Sequence, residues 1–340
     1  MPIAYPALLR ASGGIHITSM SKVANFLAQP SATEPCVAAI ASDHPAAPAL
    51  AQRMRDALAA FMARAAQGHL SVRNPPPQQA WTSRGAGHLH LHAELFLQLQ
   101  GRTRFTFPHG MLELHAGEVL VVPPKLLHDE WVCAEGEQAF SNLVISADQQ
   151  RMSCHLAHED RPGHPASLYL ETCTHADATR IGDWLREAAR PPLQDTHGLW
   201  PLQQRALVLT ALGGVSSLLD APQSTRAQEP VLLARLRMLI QNRMGEVDLT
   251  VAALAQELGC SADYLSHLYS SHTGEHLWSV VLHQRLERAT RLLAEGDSAI
   301  KEVAWCCGFA SASYFIRSFK QRFGLTPKAF RQQALASASA

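Results

Sequence analysis

The sequence predicts an α+β chain of several domains, strand-rich in its N-terminal half and all-helical in its C-terminal third. Three observations lead there. Residues 80 to about 146 run as short apolar stretches split by Gly and Pro, and beyond about 176 the apolar spacing turns helical. One helical pattern also occurs twice near the C-terminus, about 50 residues apart.

At 340 residues the chain has room for more than one core. Hydrophobic residues make up 47% of it, yet no apolar run approaches the ~18–20 residues of a spanning helix. No basic start followed by an apolar segment and a small-residue cleavage site is present. The expectation is a soluble, cytoplasmic protein with no membrane partner. The seven cysteines (36, 133, 154, 173, 260, 306 and 307) are odd in number and lack paired metal spacing. That composition suits reduced, buried thiols, with Cys306 and Cys307 as core packing.

Residues 1–45, rich in Ala, Pro and Ser, read as a disordered segment, with Met20 an alternative start to Met1. From Pro48 to Ala66, Leu50, Met54, Leu58, Phe61 and Met62 recur at helical spacing and predict an amphipathic helix. "NPPPQQ" then breaks the chain. "LHLHAELFLQLQG", "TRFTFPHG", "MLELHAG" and "EVLVVPP" follow as strand-like runs, and their close spacing predicts an antiparallel sandwich or barrel within 46–150.

Residues 151–229 are expected to be a helical linker. "DATRIGDWLREAAR" and "PLQQRALVLTALGGVSSLLD" read as two helices parted by "PPLQDTHG", and "APQSTRAQEP" (221–230) as a flexible joint. Ile181, Trp184, Leu185, Leu202, Leu207 and Leu209 lack enough neighbouring strand to cover them, which predicts a homodimer through this region.

The last domain, 230–335, carries the repeat. In "TVAALAQELGCSADYLSHLYSSHTG" (250–274), Thr250 can cap a helix that Gly259 ends, and Ser261 can cap a second one. "SAIKEVAWCCGFASASYFIRSFKQRFG" (298–324) repeats it. Val303-Ala304 and Gly308 match Leu254-Ala255 and Gly259 at an offset of 49, and Ser311, Phe319 and Gly324 match Ser261, Tyr269 and Gly274 at 50. Two helices joined by a tight Gly turn form a helix-turn-helix, and "EHLWSVVLHQRLERATRLLAEGD" reads as one long connecting helix. Net charge is zero overall, but residues 231–340 hold 12 Lys+Arg against 9 Asp+Glu. From Ser311 onward there are five basic residues and no acidic one, which hints at a polyanion partner.

On these residues the C-terminal third resembles the AraC/XylS family of bacterial transcription regulators. Ala304, Gly308, Phe309, Tyr314-Phe315, Phe319-Lys320, Gly324, Pro327 and Arg331 stand where that family has them. The resemblance implies a regulator that is not an enzyme. Its partners would be double-stranded promoter DNA, a small-molecule effector and RNA polymerase. It also implies that the second helix of each unit enters the major groove, where its exposed N-terminal half reaches base edges. Asp263, Ser266 and His267 would then face bases in the first unit, and Ser313, Ile316 and Arg317 in the second. Lys320 and Arg322 are expected on phosphates, and Tyr314, Phe315 and Phe319 in the core. The first unit departs from the family habit, because "SADYLSHLYSSH" holds no Lys or Arg.

In "GHLHLHAELFLQLQG" (87–101), His88, His90, His92 and Glu94 fall at every second position. On a strand they would share one face, with Leu89, Leu91 and Leu95 on the other. The spacing His88-x-His90-x3-Glu94-x6-Gly101 resembles the first motif of the cupin barrel. Gly117-x5-Pro123 followed by His128 resembles the second, with Lys125 in place of the usual Gly. The resemblance implies a cupin-like β-barrel whose His88, His90, Glu94 and His128 hold a divalent transition metal, a donor set suited to Fe, Mn, Ni or Zn. A metal-free effector pocket lined by His88, His90, His92, Glu94 and His128 stays open beside it, with His92 a wall residue. A metal-dependent cupin enzyme, dioxygenase-like and fused to a DNA reader, is the rival reading.

Overall fold

A computed structural model describes residues 37–41, 47–77, 87–136, 138–148, 150–192, 197–221, 230–294 and 298–338. Among the described residues ten strands lie before Asp177. They are β1 (Val37–Ala41), β2 (Ser71–Arg73), β3 (Glu94–Gln100), β4 (Arg102–Phe107), β5 (Gly110–His115), β6 (Glu118–Val122), β7 (Asp129–Cys133), β8 (Ser141–Asp148), β9 (Arg151–Arg161) and β10 (His164–Thr174). Seven make one sheet in the order β1-β10-β9-β8-β3-β6-β2, and β5-β4-β7 make a second. The pairings are antiparallel except β2 with β6.

These are two open sheets, so the closed barrel expected from the cupin resemblance is not what the described strands build. Burial explains the difference. In β3, "ELFLQLQ", Leu95 and Leu97 face one side and Phe96 the other, and all three are buried. A strand covered on both faces reads as a continuous apolar run. On one side, Phe96, Phe105, Phe107, Leu112, Leu114 and Val144 fill the space toward the small sheet. On the other, Leu95, Leu97, Val121 and Ile145 meet a layer of helices.

That layer consists of α1 (Ala47–Ala66), α2 (Asp177–Ala188) and α3 (Trp200–Leu219). In α1, Leu50, Met54, Leu58, Phe61 and Ala65 form the buried stripe. Ile181 and Leu185 of α2 are fully buried against the sheet, each worth roughly 1.5–3 kcal/mol over an exposed side chain. Trp184, Leu207 and Leu209 pack on the same core, and only Leu202 is exposed. Five of the six apolar residues behind the homodimer expectation are thus covered within the chain, and Leu202 is left at the surface.

The linker expected over 151–229 is helical only from Asp177, since β9 and β10 occupy 151–174 as long strands of the main sheet. The segment expected to be disordered, 1–45, contributes β1 to the edge of that sheet through five pairs with β10. The rest of that segment, and 222–229 of the joint, lie outside the described residues.

The C-terminal part is all helical: α4 (Val231–Arg243), α5 (Val251–Glu257), α6 (Ala262–Thr273), α7 (Leu277–Ala294), α8 (Ile300–Cys306), α9 (Ala312–Phe323) and α10 (Pro327–Ala338). Two separate cores form. Leu236, Leu254, Leu265 and Tyr269 anchor the first, and Leu286, Val303, Phe315 and Phe319 the second. No helix among the described residues is long and apolar enough to cross a membrane.

Candidate nucleic-acid interface and sensor site

The two helical units are built alike. Thr250 Oγ1 accepts from Ala253 N at 3.1 Å to start α5. Ser261 Oγ accepts from Tyr264 N at 3.2 Å to start α6, and Ser311 Oγ from Tyr314 N at 3.3 Å to start α9. Each hydroxyl satisfies one of the helix's otherwise unpaired amides. Gly274 and Gly324 close the two helices in the left-handed conformation, at φ 74° and 77°.

Their inner faces are Leu265 and Tyr269 in one unit and Phe315 and Phe319 in the other. Their outer faces present Asp263 and His267, and Ser313, Ile316, Arg317, Lys320 and Arg322, all exposed, with Ser266 half-buried. The residues expected to face DNA are thus brought onto the free face of each second helix. One core assignment is corrected: Tyr314 is 44% exposed, and Tyr264, at the matching position, is 55%. Both are the third residue of their helices, in the first turn, and the N–H of each donates to the capping serine. The matched Tyr264/Tyr314 pair in the repeat carries that signal.

A junction sets the two units against each other. Arg285 of α7 is buried, and its guanidinium donates to the carbonyls of Met244 and Glu246. It also lies over Gly308, whose φ is +73° and where a Cβ would come within 2.6 Å of Arg285 Nη2 and 2.7 Å of Met244 O. A side chain there would wedge the junction open.

The histidine segment departs from the expected strand. Regular β-structure starts only at Glu94, and His88 makes an isolated bridge with His128, each backbone N–H donating to the other's carbonyl at 2.9 Å. Gly87 makes this approach feasible, because a Cβ on it would come within 2.0 Å of His128 O. Lys125, where the cupin motif has Gly, has φ 65° and donates its N–H to His90 O at 2.7 Å. The left-handed backbone of the turn is kept although the glycine is not.

The result is a compact donor set. One ligand atom from each of His88, His90, Glu94 and His128 lies within 4.8 Å of the others. Glu94 Oε2 is 3.5 Å from His90 Nε2 and 3.6 Å from His128 Nε2. These three atoms are buried with no hydrogen-bond partner among the described residues. His128 Nδ1 meets Leu126 O at 2.9 Å, leaving Nε2 directed at the cluster. The rings of Phe96, Phe105 and Phe107 wall it, each 6.3–6.4 Å from the His128 ring.

Burial keeps the cluster uncharged. It pushes His88 down to about 3 and His90 well below its usual value, helped in both by neighbouring imidazoles and Arg288. It raises Glu94 well above the carboxylate range and Glu130 to about 8. His92 does not join. It lines a neighbouring cavity with Asp148, Arg151, Thr172 and, from α4, Arg237 and Gln241, and burial lowers it to about 4. Sequence reasoning missed Arg288 and Glu130, both brought to the site from elements with no motif of their own.

Residues 254–333 match the model of a helix-turn-helix domain. The chain is 33% identical over 129 residues to the "Uncharacterized HTH-type transcriptional regulator YijO" of Escherichia coli (strain K12), covering 38% of this chain and 45% of that one. It is 23% identical over 249 residues to the "Msm operon regulatory protein" of Streptococcus mutans, covering 69% and 82%. A transcriptional regulator with an AraC-type DNA-binding domain from Chromobacterium violaceum, known from its crystal structure, matches at 27% identity and a TM-score of 0.29, over 30% of this chain and 91% of that one. The alignment spans about half the length of the first of these relatives. The C-terminal third is thus a helix-turn-helix domain of the kind carried by transcriptional regulators.

Proposed function

We propose that the chain is an effector-responsive, sequence-specific DNA-binding transcription regulator of the AraC/XylS type. The observation that carries this reading is the repeated free face. Two capped helices, equivalent at an offset of 50, each bury an apolar side and leave a polar side open to a groove. Arg317, exposed in the N-terminal half of α9, suits bidentate pairing with guanine, while Lys320 and Arg322 suit phosphates. Footprinting on the DNA upstream of the chain's own gene tests it: a protected, sequence-dependent site is expected, and uniform salt-sensitive binding to any duplex would overturn it.

In this reading the strand-rich domain is the sensor, and the residues around His88, His90, Glu94 and His128 take its effector. A divalent transition ion fits them, because the buried unpartnered atoms of His90, Glu94 and His128 are two imidazole nitrogens and a carboxylate oxygen. Bound there, such an ion would supply the positive charge that a buried carboxylate lacks. Elemental analysis of protein never exposed to a metal column is expected to find about one equivalent, lost in His90→Ala. A homodimer would join two readers for paired half-sites, and Leu202, 59% exposed, lies at the surface where a second copy could meet it. A monomer in sedimentation at tens of micromolar would remove that part.

A further inference from the structure

The second reading unit does not close its own core. Leu89, only 6% exposed, belongs to the same apolar cluster as Leu286, Ala289 and Leu293 of α7 and Phe315 of α9, and Leu91 packs against it. Beside it, the buried Arg288 of α7 donates to Leu89 O at 2.9 Å. Close by on α7, Arg291 Nη1 pairs with Asp148 Oδ2 at the end of β8 at 2.5 Å. The first unit touches the strand-rich domain only from outside its core, where Ala234 and Met238 of α4 meet Leu170 of β10.

Leu89 lies between His88 and His90, so one short segment has two occupied faces. Its histidines reach Glu94 and His128, and its leucines plug the second unit. The backbone between is pinned to His128 and Lys125 and cannot absorb a shift independently. Donors sharing one transition ion at ~2.0–2.2 Å each stand roughly 3.0–3.5 Å from one another. Glu94 Oε2 already stands about that far from His90 and His128, whereas the set as a whole spreads to 4.8 Å, so closing it shifts the outlying donors by something on the order of an ångström. Close-packed side chains register movements of that size.

We propose that residues 88–92 are a coupling segment between the donor set and the core of the second reading unit. A divalent cation bound by His88, His90, Glu94 and His128 fixes the segment, seats Leu89 and Leu91 and stiffens α8 and α9. The proposal rests on the cation reading of that site. Coupling of this kind is reciprocal, so DNA held by the second unit tightens the cation in turn.

Hydrogen exchange on the full chain, with and without zinc, tests it. Zinc is expected to slow amide exchange in α8 and α9 at least threefold, to leave α5 and α6 unchanged, and to do neither in His90→Ala. Leu89→Ser without zinc should speed exchange in α8 and α9 about tenfold with the main sheet unaffected. Asp148→Asn, which leaves the core intact, should do the same more weakly should Leu89→Ser fail to fold. Zinc that binds without slowing α8 and α9, or slows both units equally, would overturn the coupling alone. A chain that binds no zinc would overturn the coupling together with the cation reading. An unchanged α8–α9 in the Leu89→Ser and Asp148→Asn chains would show that the segment does not hold the unit.

Discussion

The two reading units share their caps, their closing glycines and their spacing, yet differ on both faces. On the outside, α6 carries Asp263 and His267, whereas α9 carries Arg317, Lys320 and Arg322. On the inside, the first core is filled by its own helices and the second by Leu89 of the strand-rich domain as well. The exposed basic side chains and the contact with the strand-rich domain's residues 88–92 fall on the same unit. In the proposed reading, duplicated architecture comes with divided labour: the unit that carries the basic face is also the one tied to residues 88–92.

Acid should strain this arrangement most. His88 is held near 3, and His92 and His155 near 4, against 6.5 when free. Each binds its proton more readily unfolded, so each withdraws stability as pH falls below about 6.5, by up to about 1.4 kcal/mol per pH unit. Glu130, raised to about 8, acts oppositely: folded, it keeps its proton, and its contribution is lost as pH rises from about 4.5 to 8. In a chelating buffer, urea midpoints should peak near neutrality and fall steeply by pH 4. A midpoint still rising at pH 4.5 would mean that the imidazoles are not buried neutral.

Equivalent glycines sharpen the comparison next. A Cβ at Gly308 would meet Arg285 and the Met244 carbonyl, while one at Gly259 meets nothing within 4 Å. Both have positive φ, near 70°, so the backbone term of roughly 1–2 kcal/mol is shared. Gly308→Ala should therefore lower operator affinity at least tenfold more than Gly259→Ala in a gel-shift titration. Equal losses would mean that the Arg285 junction does not set the geometry of the pair. On the outer faces, Arg317→Ala should cost ~1–3 kcal/mol and relax specificity at one or two base pairs. Lys320→Ala should instead lower affinity for all duplexes and reduce the salt slope by about one. A similar specificity loss from His267→Ala would erase the proposed asymmetry.

Much of this was legible in the sequence, and the failures have physical causes. The repeat was readable because caps and closing glycines are local: Ser261 and Ser311 bond amides three residues on. The four donors were readable because their spacing resembles a known motif. Their strand was not, since Gly87, Lys125 and the His128 bridge pull residues 88–92 out of regular pairing. Nor was the reach of the sheet through β9 and β10, where "RMSCHLAHEDR" mixes charges into a strand whose inner face alone is apolar. Arg288 could not be foreseen at all, because its partner lies 199 residues away.

The smallest expected effect concerns Lys125. Its φ of 65° is strained for any residue with a Cβ, by roughly 1–2 kcal/mol, and the same backbone N–H holds His90 O. Glycine removes the strain but adds freedom to the unfolded chain, worth roughly 0.5–1 kcal/mol. The balance favours Lys125→Gly slightly, and a gain of about 1–3 °C in melting midpoint is expected by calorimetry. Lys125→Val, β-branched and ill-suited to that conformation, should lower the midpoint and loosen His90 from its donors. If both substitutions lowered the midpoint alike, the lysine side chain, and not the turn, would be what holds the segment beneath the second reading unit.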